Sequence, residues 1–264
     1  MGSATREALA LSRAALADAG KPSLAAAEEL LAAARAVGGS AQLRGLLADP
    51  ELDADRKQAL VESIFGAKLG SQAKGLLLSL VGRRWSRSED LLEGIEEIGI
   101  RVAAGSAPAR TAVDSELFAF LRAVAGDAEL ELALSSKLGA PEAKAGVVSE
   151  LLEGKAHATT IAILRHLVQQ PRGRRIRPLI EAAADIVADQ AGSEVATVTA
   201  AAPLSPAQRK RLEEGLTASR GRSFRVQVVV DPSIIGGLRV RIGDEVVDGT
   251  VASRLQDLKL ALAS

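Results

Sequence analysis

The sequence has no cysteine and few aromatic residues, and both shortages exclude functions. Cysteine is absent from all 264 residues, which excludes disulfides, thiolate metal sites and thiol chemistry. Aromatic residues make up 2% of the chain, which argues against base-stacking platforms and against aromatic clefts for sugars. Hydrophobic residues still reach 47%, so the predicted core consists of alanine, leucine, valine and isoleucine.

Neither sign of charge is in excess. Lysine and arginine number 33, as do aspartate and glutamate, so no net field draws the chain to nucleic acid or to acidic lipid. The basic stretches are interpreted as solvated faces or as the rim of a protein interface: Arg83, Arg84 and Arg87; Arg172, Arg174, Arg175 and Arg177; Arg209, Lys210 and Arg211; and Arg220, Arg222 and Arg225. A membrane span needs roughly 20 consecutive apolar residues, and no window offers them. Work at a membrane would therefore require another subunit to hold the chain there.

The sequence contains none of the motifs that mark common active sites. There is no phosphate-binding loop of the G-x-x-x-x-G-K-[ST] or G-x-G-x-x-G type, no G-x-S-x-G elbow and no H-E-x-x-H pair. The two histidines, His157 and His166, are nine residues apart, a spacing that does not bring them together at one-turn separation on a helix. We interpret them as ordinary histidines on helix surfaces. The sequence therefore predicts no catalytic residue, no metal and no cofactor.

The first 190 residues follow helical periodicity and repeat once. At an offset of 87, Arg35–Val37 corresponds to Arg122–Val124, Leu77 to Leu164, and Ala104–Ser106 to Ala191–Ser193. No gap is needed along this run, which indicates an internal duplication. The alternative is a single long helical domain of monotonous composition, in which many offsets would match equally well. The predicted fold is mainly α, with tandem helical bundles in residues 1–105 and 106–192.

Residues 193–264 change pattern and predict a small α/β domain. Alternation over 195–200 favours a strand, and Ser205 before Pro206 predicts a capped helix. Two further alternating runs, 224–230 and 238–242, favour strands. The order is strand, helix, strand, hairpin and final helix.

The stretch from Asp231 to Leu258 is the most specific part of the chain. Its Gly-Gly step allows a close backbone approach where a Cβ would clash, and Asp-Gly-Thr offers N-caps for a final helix. This order resembles the C-terminal signature of the δ subunit of F-type ATP synthases, called the oligomycin-sensitivity-conferring subunit in mitochondria. The signature residues are Gly236, Gly237, Gly243, Asp244, Asp248, Gly249, Thr250, Arg254 and Leu255.

The resemblance implies a structural role and no active site. Members of the family act as a stator of the proton-translocating synthase, so that rotor torque drives ATP synthesis. Their N-terminal bundle binds the N-terminal helix of an α subunit in a groove, and their C-terminal part binds the b subunits of the peripheral stalk. The implied location is the cytoplasmic side of the cell membrane, as a peripheral part of the complex. The extra helical copy resembles the long actinobacterial members, and we expect it to lengthen or stiffen the stalk.

Interface residues can be proposed only in outline. The candidates for the groove of the first bundle are Leu9, Leu16, Leu30, Leu31 and Val37, each of which also suits a core position. Arg239 and Arg241, on one side of a strand, are surface candidates. Trp85 fits either a core position or an exposed contact. The alternative function is a helical-repeat adaptor unrelated to the synthase, and an enzyme has no residue constellation to support it.

Overall fold

The computed structural model describes residues 2–109, 111–136, 139–243 and 245–256. The chain divides into two compact units, Met1–Val187 and Ala188–Ser264. The predicted mainly α fold with a C-terminal α/β module is confirmed. The predicted division of the helical part near residue 105 stays a prediction.

Eleven helices account for the described part of the first unit. They are α1 (Ser3–Asp18), α2 (Leu24–Gly39), α3 (Ala41–Ala48), α4 (Ala54–Phe65), α5 (Ser71–Val81), α6 (Ser88–Ser106), α7 (Val113–Ala125), α8 (Ala128–Ser135), α9 (Pro141–Leu152), α10 (Ala158–Gln169) and α11 (Ile176–Gln190), the last of which continues past residue 187. Polar residues cap several of them as the sequence predicts. Ser23 accepts a hydrogen bond from the amide of Ala26, and Asp53 accepts one from the amide of Arg56.

The helix bounds repeat at the offset of 87. Adding 87 to the bounds of α3 and α4 gives the bounds of α8 and α9. Adding 87 to the bounds of α1 gives residues 90–105, which lie within α6. Adding 87 again gives residues 177–192, which overlap α11. Helix α6 is therefore both the last helix of a first copy, α1–α6, and the first helix of a second copy, α6–α11.

Buried positions repeat with the helices. The seven buried residues of α2 are Ala26, Ala27, Leu30, Leu31, Ala33, Ala34 and Val37. At the offset of 87 they give the seven buried residues of α7: Val113, Asp114, Leu117, Phe118, Phe120, Leu121 and Val124. One helix-capping contact repeats as well. Glu29 accepts a hydrogen bond from the amide of Gly70 (2.7 Å), and Glu116 accepts one from the amide of His157 (3.0 Å).

Helix α6 is buried on every side over most of its length. Of residues 90–103, all except Glu93 are buried. The helix packs against α1, α2, α3 and α5 of the first copy and against α10 of the second. Trp85, in the turn before α6, is also buried, and its indole N–H donates to the carbonyl of Leu80 (2.9 Å). It therefore belongs to the core.

A cluster of charged side chains joins the second copy to α6; we call it the Glu96 cluster. Glu96 of α6 accepts hydrogen bonds from Arg172 (3.1 Å) and Arg174 (2.9 Å) in the turn after α10. His166 of α10 lies with Nε2 3.3 Å from Glu96, and its Nδ1 lies 3.2 Å from a guanidinium nitrogen of Arg35 on α2. Because arginine can only donate, Nδ1 accepts and Nε2 carries the proton that is donated to Glu96.

The Glu96 cluster corrects two expectations from the sequence. His166 is 0% exposed, so the interpretation as a surface histidine is wrong; only His157, half-buried at the start of α10, lies near the surface. The basic stretch that contains Arg172 and Arg174 is expected to be solvated or to rim an interface, but both arginines pair with Glu96. A buried carboxylate needs such partners, because an unpaired buried charge is very costly.

Burial and the cluster together set the ionisation of its members. Burial raises the pKa of Glu96, but the hydrogen bond from His166 and the two arginines outweigh it and hold that pKa at about 2. Burial lowers the pKa of His166, and this outweighs the opposite effect of Glu96. Both groups therefore favour the native state at neutral pH, with Glu96 charged and His166 neutral.

The second unit is a four-stranded mixed sheet with one helix on its face. Its elements are β1 (Ser193–Ala200), α12 (Pro206–Arg220), β2 (Ser223–Val230), β3 (Leu238–Ile242) and β4 (Glu245–Asp248). The strand order is β2-β1-β3-β4, with β1 and β2 parallel and the other pairs antiparallel. Leu212 and Leu216 of α12 pack on a core that includes Val198 and Val226. Residues 251–256 are helical.

We expect the second copy to fold only when α6 is included. A fragment of residues 107–192 keeps α7 and α9 against α10 but lacks α6, so it loses the packing of α10 on α6 and the pairing of Glu96 with His166, Arg172 and Arg174. A fragment of residues 88–192 retains it. Far-UV circular dichroism should show a cooperative thermal transition for 88–192 and a non-cooperative one for 107–192. An equally cooperative transition in 107–192 would contradict the shared helix.

We also expect Glu96 to make stability depend on acid pH. A carboxylate whose native pKa is about 2, against an ordinary 4.5, stabilises the native state above pH 4.5 by about 3 kcal/mol, and this is lost as the pH falls toward 2. Glu96→Gln should therefore be much less stable than the parent at pH 7, and the gap should narrow from pH 5 to pH 3. Urea unfolding at each pH measures it.

The matched control for this measurement is Glu93→Gln on the same helix. Glu93 is 45% exposed and lies 4.0 Å from Arg172, so its replacement should change stability by less than about 0.5 kcal/mol. A Glu96→Gln deficit that stays constant between pH 5 and pH 3 would show that the carboxylate is not ionised with the lowered pKa.

Candidate interaction surfaces

The described residues bring together no catalytic or metal-binding constellation. No group of three or more His, Asp or Glu in them could hold a metal ion, and none of their helices has the length and hydropathy to cross a membrane. A cavity of about 780 Å³ lies between the start of α1 and the α5–α6 turn. Its charged lining mixes Glu7 and Asp49 with Arg84 and Arg87. The surfaces of the molecule are therefore the better candidates for function.

The first candidate is an apolar strip on α1 beside α5, which we call the α1/α5 surface. Leu11 is 42% exposed, and Ala4 and Ala15, seven residues before and four after it, are half-buried. Helix α5, which packs on α1, presents Gly75 as exposed and Ser79 as half-buried. A Cβ added at Gly75 would meet no atom within 4 Å. Small residues on α5, next to a helix that exposes a leucine, leave room for another helix to approach closely.

The leucines and valine proposed for the groove lie beneath the surface. Leu9 and Leu16 on α1 are 5% and 6% exposed, and Leu30, Leu31 and Val37 on α2 are 1% exposed or less. These positions are those of core side chains. A direct contact of any of them with a partner stays a prediction.

The second candidate is an exposed apolar region in the C-terminal unit, which we call the C-terminal surface. Ile235 is 88% exposed, Val246 and Val247 are each 53%, and Val251 and Leu255 are 44% and 54%. Ile235 precedes Gly236, whose carbonyl accepts from the amide of Val251 (3.0 Å). Val246 and Val247 are consecutive on β4 and point to opposite faces of the sheet, so the C-terminal surface is centred on Ile235 and Val251. An added Cβ at Gly236 would lie 3.3 Å from Cγ2 of Val251, and adjoining exposed apolar side chains are typical of an interaction site.

The signature residues shape the backbone around the C-terminal surface. Gly237 has φ +82°, and an added Cβ would clash with the carbonyl oxygen of Gly249. The close approach predicted for the Gly-Gly step is thus present. Gly243 also has a left-handed φ of +55°. Asp244 lies outside the described residues.

The predicted caps at Asp248 and Thr250 are present too. Asp248 accepts a hydrogen bond from the amide of Thr250 (3.0 Å), and the Thr250 hydroxyl accepts one from the amide of Ser253 (3.3 Å). The Thr250 contacts, followed by pairing with Arg239, lower the pKa of Asp248. Arg254 is exposed on the helix that starts here.

The two arginines of β3 differ in their surroundings. Arg239 is exposed and donates to Asp248 of β4 (3.0 Å). Arg241 is half-buried, opposite Thr197 on β1 and Val246 on β4. Since both alternate with the core residue Val240, they lie on the sheet face away from α12.

Comparison with known proteins identifies the family. The family model "ATP synthase delta (OSCP) subunit" matches residues 100–262, which include the end of α6, the rest of the second copy and most of the C-terminal unit. An "ATP synthase subunit delta" of Leifsonia xyli subsp. xyli is 53% identical over 264 residues, covering 100% of both chains. That of Streptomyces avermitilis is 37% identical over 241 residues, covering 90% of this chain and 88% of the relative.

One solved structure is similar at lower identity. A chain from a cryo-EM structure of the Toxoplasma gondii mitochondrial ATP synthase hexamer is 24% identical, with a TM-score of 0.42, and covers 66% of this chain and 98% of that chain. The family model spans more than half of the chain, and the Leifsonia relative matches it from end to end. The chain therefore belongs to the ATP synthase delta (OSCP) subunit family, the non-catalytic stator subunits of the F-type ATP synthase.

Proposed function

We propose that the chain connects the catalytic head to the peripheral stalk through two separate surfaces. The α1/α5 surface binds the N-terminal helix of an α subunit, and the C-terminal surface binds the b subunits. The complex then holds the chain at the cytoplasmic side of the cell membrane. The observation that carries the proposal is that each compact unit exposes apolar side chains of its own, Leu11 in one and Ile235 in the other.

The chemistry of the α1/α5 surface suits a helix. Leu11 offers an apolar contact, and Gly75 and Ser79 are small enough for a helix axis to approach within the usual distance of about 8–10 Å. A helix in a groove makes its contacts through residues at i, i+3, i+4 and i+7. The buried Leu9 and Leu16 support α1 from below, and we propose that they position the surface.

The C-terminal surface suits the elongated b subunits in the same way. The same unit exposes the charged side chains of Arg239 and Arg254, and we propose that they form the rim of this interface. A polar rim around an apolar centre is the usual anatomy of a protein interface. Holding against torque requires interface area and slow release, so no acid, base or metal is needed.

The adaptor alternative is disfavoured by the relatives. A free-standing helical-repeat adaptor would explain the helical copies but not the match of the whole chain, C-terminal unit included, to subunits of one complex. We therefore propose synthase partners for both surfaces.

The proposal predicts a separable loss of partners. Leu11→Asp should reduce co-purification of the α subunit with the tagged chain while the b subunits remain. Ile235→Asp should do the reverse. Introducing a charge at the centre of an interface costs about 2 kcal/mol or more, so each loss should be at least about tenfold. Quantitative mass spectrometry of complexes from detergent-solubilised membranes measures both.

The matched control is Leu132→Asp on α8. Leu132 is 73% exposed, more than Leu11, and lies outside both surfaces, so this variant should retain both partners. Loss of both partners in either of the other variants, or absence of α and b subunits from the parent complex, would contradict the proposal.

A further inference from the structure

The internal repeat gives the α1/α5 surface an equivalent in the second copy. At the offset of 87, α1 corresponds to α6 and α5 to α10. The strip of Ala4, Leu11 and Ala15 corresponds to Leu91, Ile98 and Val102 of α6, and Gly75 and Ser79 correspond to Ala162 and His166 of α10. We call this second set the α6/α10 surface.

The α6/α10 surface is closed. Leu91, Ile98 and Val102 are each 0% exposed, and Ala162 and His166 are 7% and 0% exposed. Their counterparts in the first copy are exposed or half-buried. The same positions of the same fold are thus covered in one copy and open in the other.

The helix that covers the α6/α10 surface is α2 of the same chain, which packs against both α6 and α10. Against α6, Leu31 lies so close to Gly99 that an added Cβ there would be 2.7 Å from its Cδ2. Against the end of α10, Gly38 lies so close to Gln170 that an added Cβ would clash with its side-chain amide. Helix α2 therefore lies in the groove with close contacts at Leu31 and Gly38, and a cavity of about 210 Å³ lined by Leu31, Arg35 and Ala162 lies between α2 and α10.

The Glu96 cluster holds α2 in that groove. Arg35 of α2 donates to His166 of α10, and His166 donates to Glu96 of α6. The first copy has no counterpart of this chain of contacts, because Leu9 stands at the position of Glu96 and Ser79 at that of His166. The α6/α10 surface carries polar contacts that hold α2 in place. The α1/α5 surface instead presents Leu11 and small side chains.

We infer that α2 closes the docking groove of the second copy, the copy that the family model matches, and that the first copy presents that groove again at the α1/α5 surface. The chain therefore binds one partner helix, on the first copy. That helix is amphipathic with an alanine- and leucine-rich apolar face, as α2 is. The inference rests on the proposed function for the identity of the partner, the N-terminal helix of the α subunit.

The absence of cysteine from the chain makes a direct test possible. Gly75→Cys and Ala162→Cys place one thiol on each surface at equivalent positions. Gly146→Cys on α9, where an added Cβ meets no atom within 4 Å, serves as the control. Maleimide labelling of the full-length variants is measured alone and with a saturating synthetic peptide. One peptide is the α subunit N-terminal helix, and the other is residues 24–39 of this chain.

Without peptide, the thiols of the Gly75→Cys and Gly146→Cys variants should react at comparable rates. The thiol of Ala162→Cys should react at least about tenfold more slowly, since Ala162 is only 7% exposed beneath α2. Either peptide should slow labelling of Gly75→Cys at least about tenfold, because the bound state shields its thiol, and should leave Gly146→Cys unchanged. Calorimetry of the parent chain should give one bound α subunit peptide. The inference would be overturned if Ala162→Cys were labelled as fast as Gly75→Cys, or if either peptide changed the labelling rate of Ala162→Cys. Binding of two α subunit peptides would overturn it as well.

The two peptides separate the inference from the proposed function. If the α subunit peptide protects no thiol while the 24–39 peptide protects that of Gly75→Cys, the surface is a helix-docking groove as inferred and the proposed partner is wrong. If neither peptide protects the thiol at position 75, the inference itself fails. Protection of this thiol by the α subunit peptide alone supports both, with the first copy selective for that helix.

Discussion

The burial of α6 on all sides is the constraint on which the helical unit depends. Leu91, Ile95 and Ile98 are each 0% exposed, and a fully buried Leu or Ile contributes about 1.5–3 kcal/mol. Helix α6 also buries Asp90, Glu97 and Arg101, and a helix that buries apolar and charged residues on all sides is stable only inside a protein that supplies contacts for both. Both copies must therefore be present for α6 to lose its contact with water, and they overlap by one helix instead of meeting through a linker.

The Glu96 cluster adds specificity to this apolar packing. An aliphatic helix pair can slide by one turn, about 5.4 Å, at modest cost, but a buried carboxylate left without partners costs several kcal/mol. The hydrogen-bond partners of Glu96 come from α10 and the turn after it. In that turn Arg172 and Gly173 have φ of +51° and +75°, and the strain at Arg172, about 1 kcal/mol or more, is offset by its pairing with Glu96.

Sequence reasoning predicts what depends on local chemistry. The duplication is visible because residues and helix breaks recur at one offset, 87, without a gap. The close approach at Gly237 and the cap at Thr250 are predictable because only a few residue types allow those backbone geometries. These features need no knowledge of which helices pack together.

Which apolar and polar residues are buried depends on packing between the two copies, and the sequence pattern does not indicate that packing. Leu9 and Leu11 are equally apolar, yet one is 5% exposed and the other 42%. The sequence favours a surface position for His166 because its partners, Glu96 and Arg35, are 70 and 131 residues away along the chain. The one available indication is that Glu96 in the second copy stands at the position of the apolar Leu9 in the first.

The overlap of the copies also explains why duplication leaves a single open groove. In a head-to-tail array each copy uses one surface to contact the copy before it and a different surface to contact the copy after it. Every contact between copies therefore covers one surface of each kind. Here the α2 side of the first copy meets the α6/α10 surface of the second, so among the described helices the groove of this kind left open is at the N-terminal end, on α1 and α5. The number of docking grooves is therefore set by the ends of the array and not by the number of copies. An added copy moves the docking position away from the C-terminal unit along the chain without adding a second position.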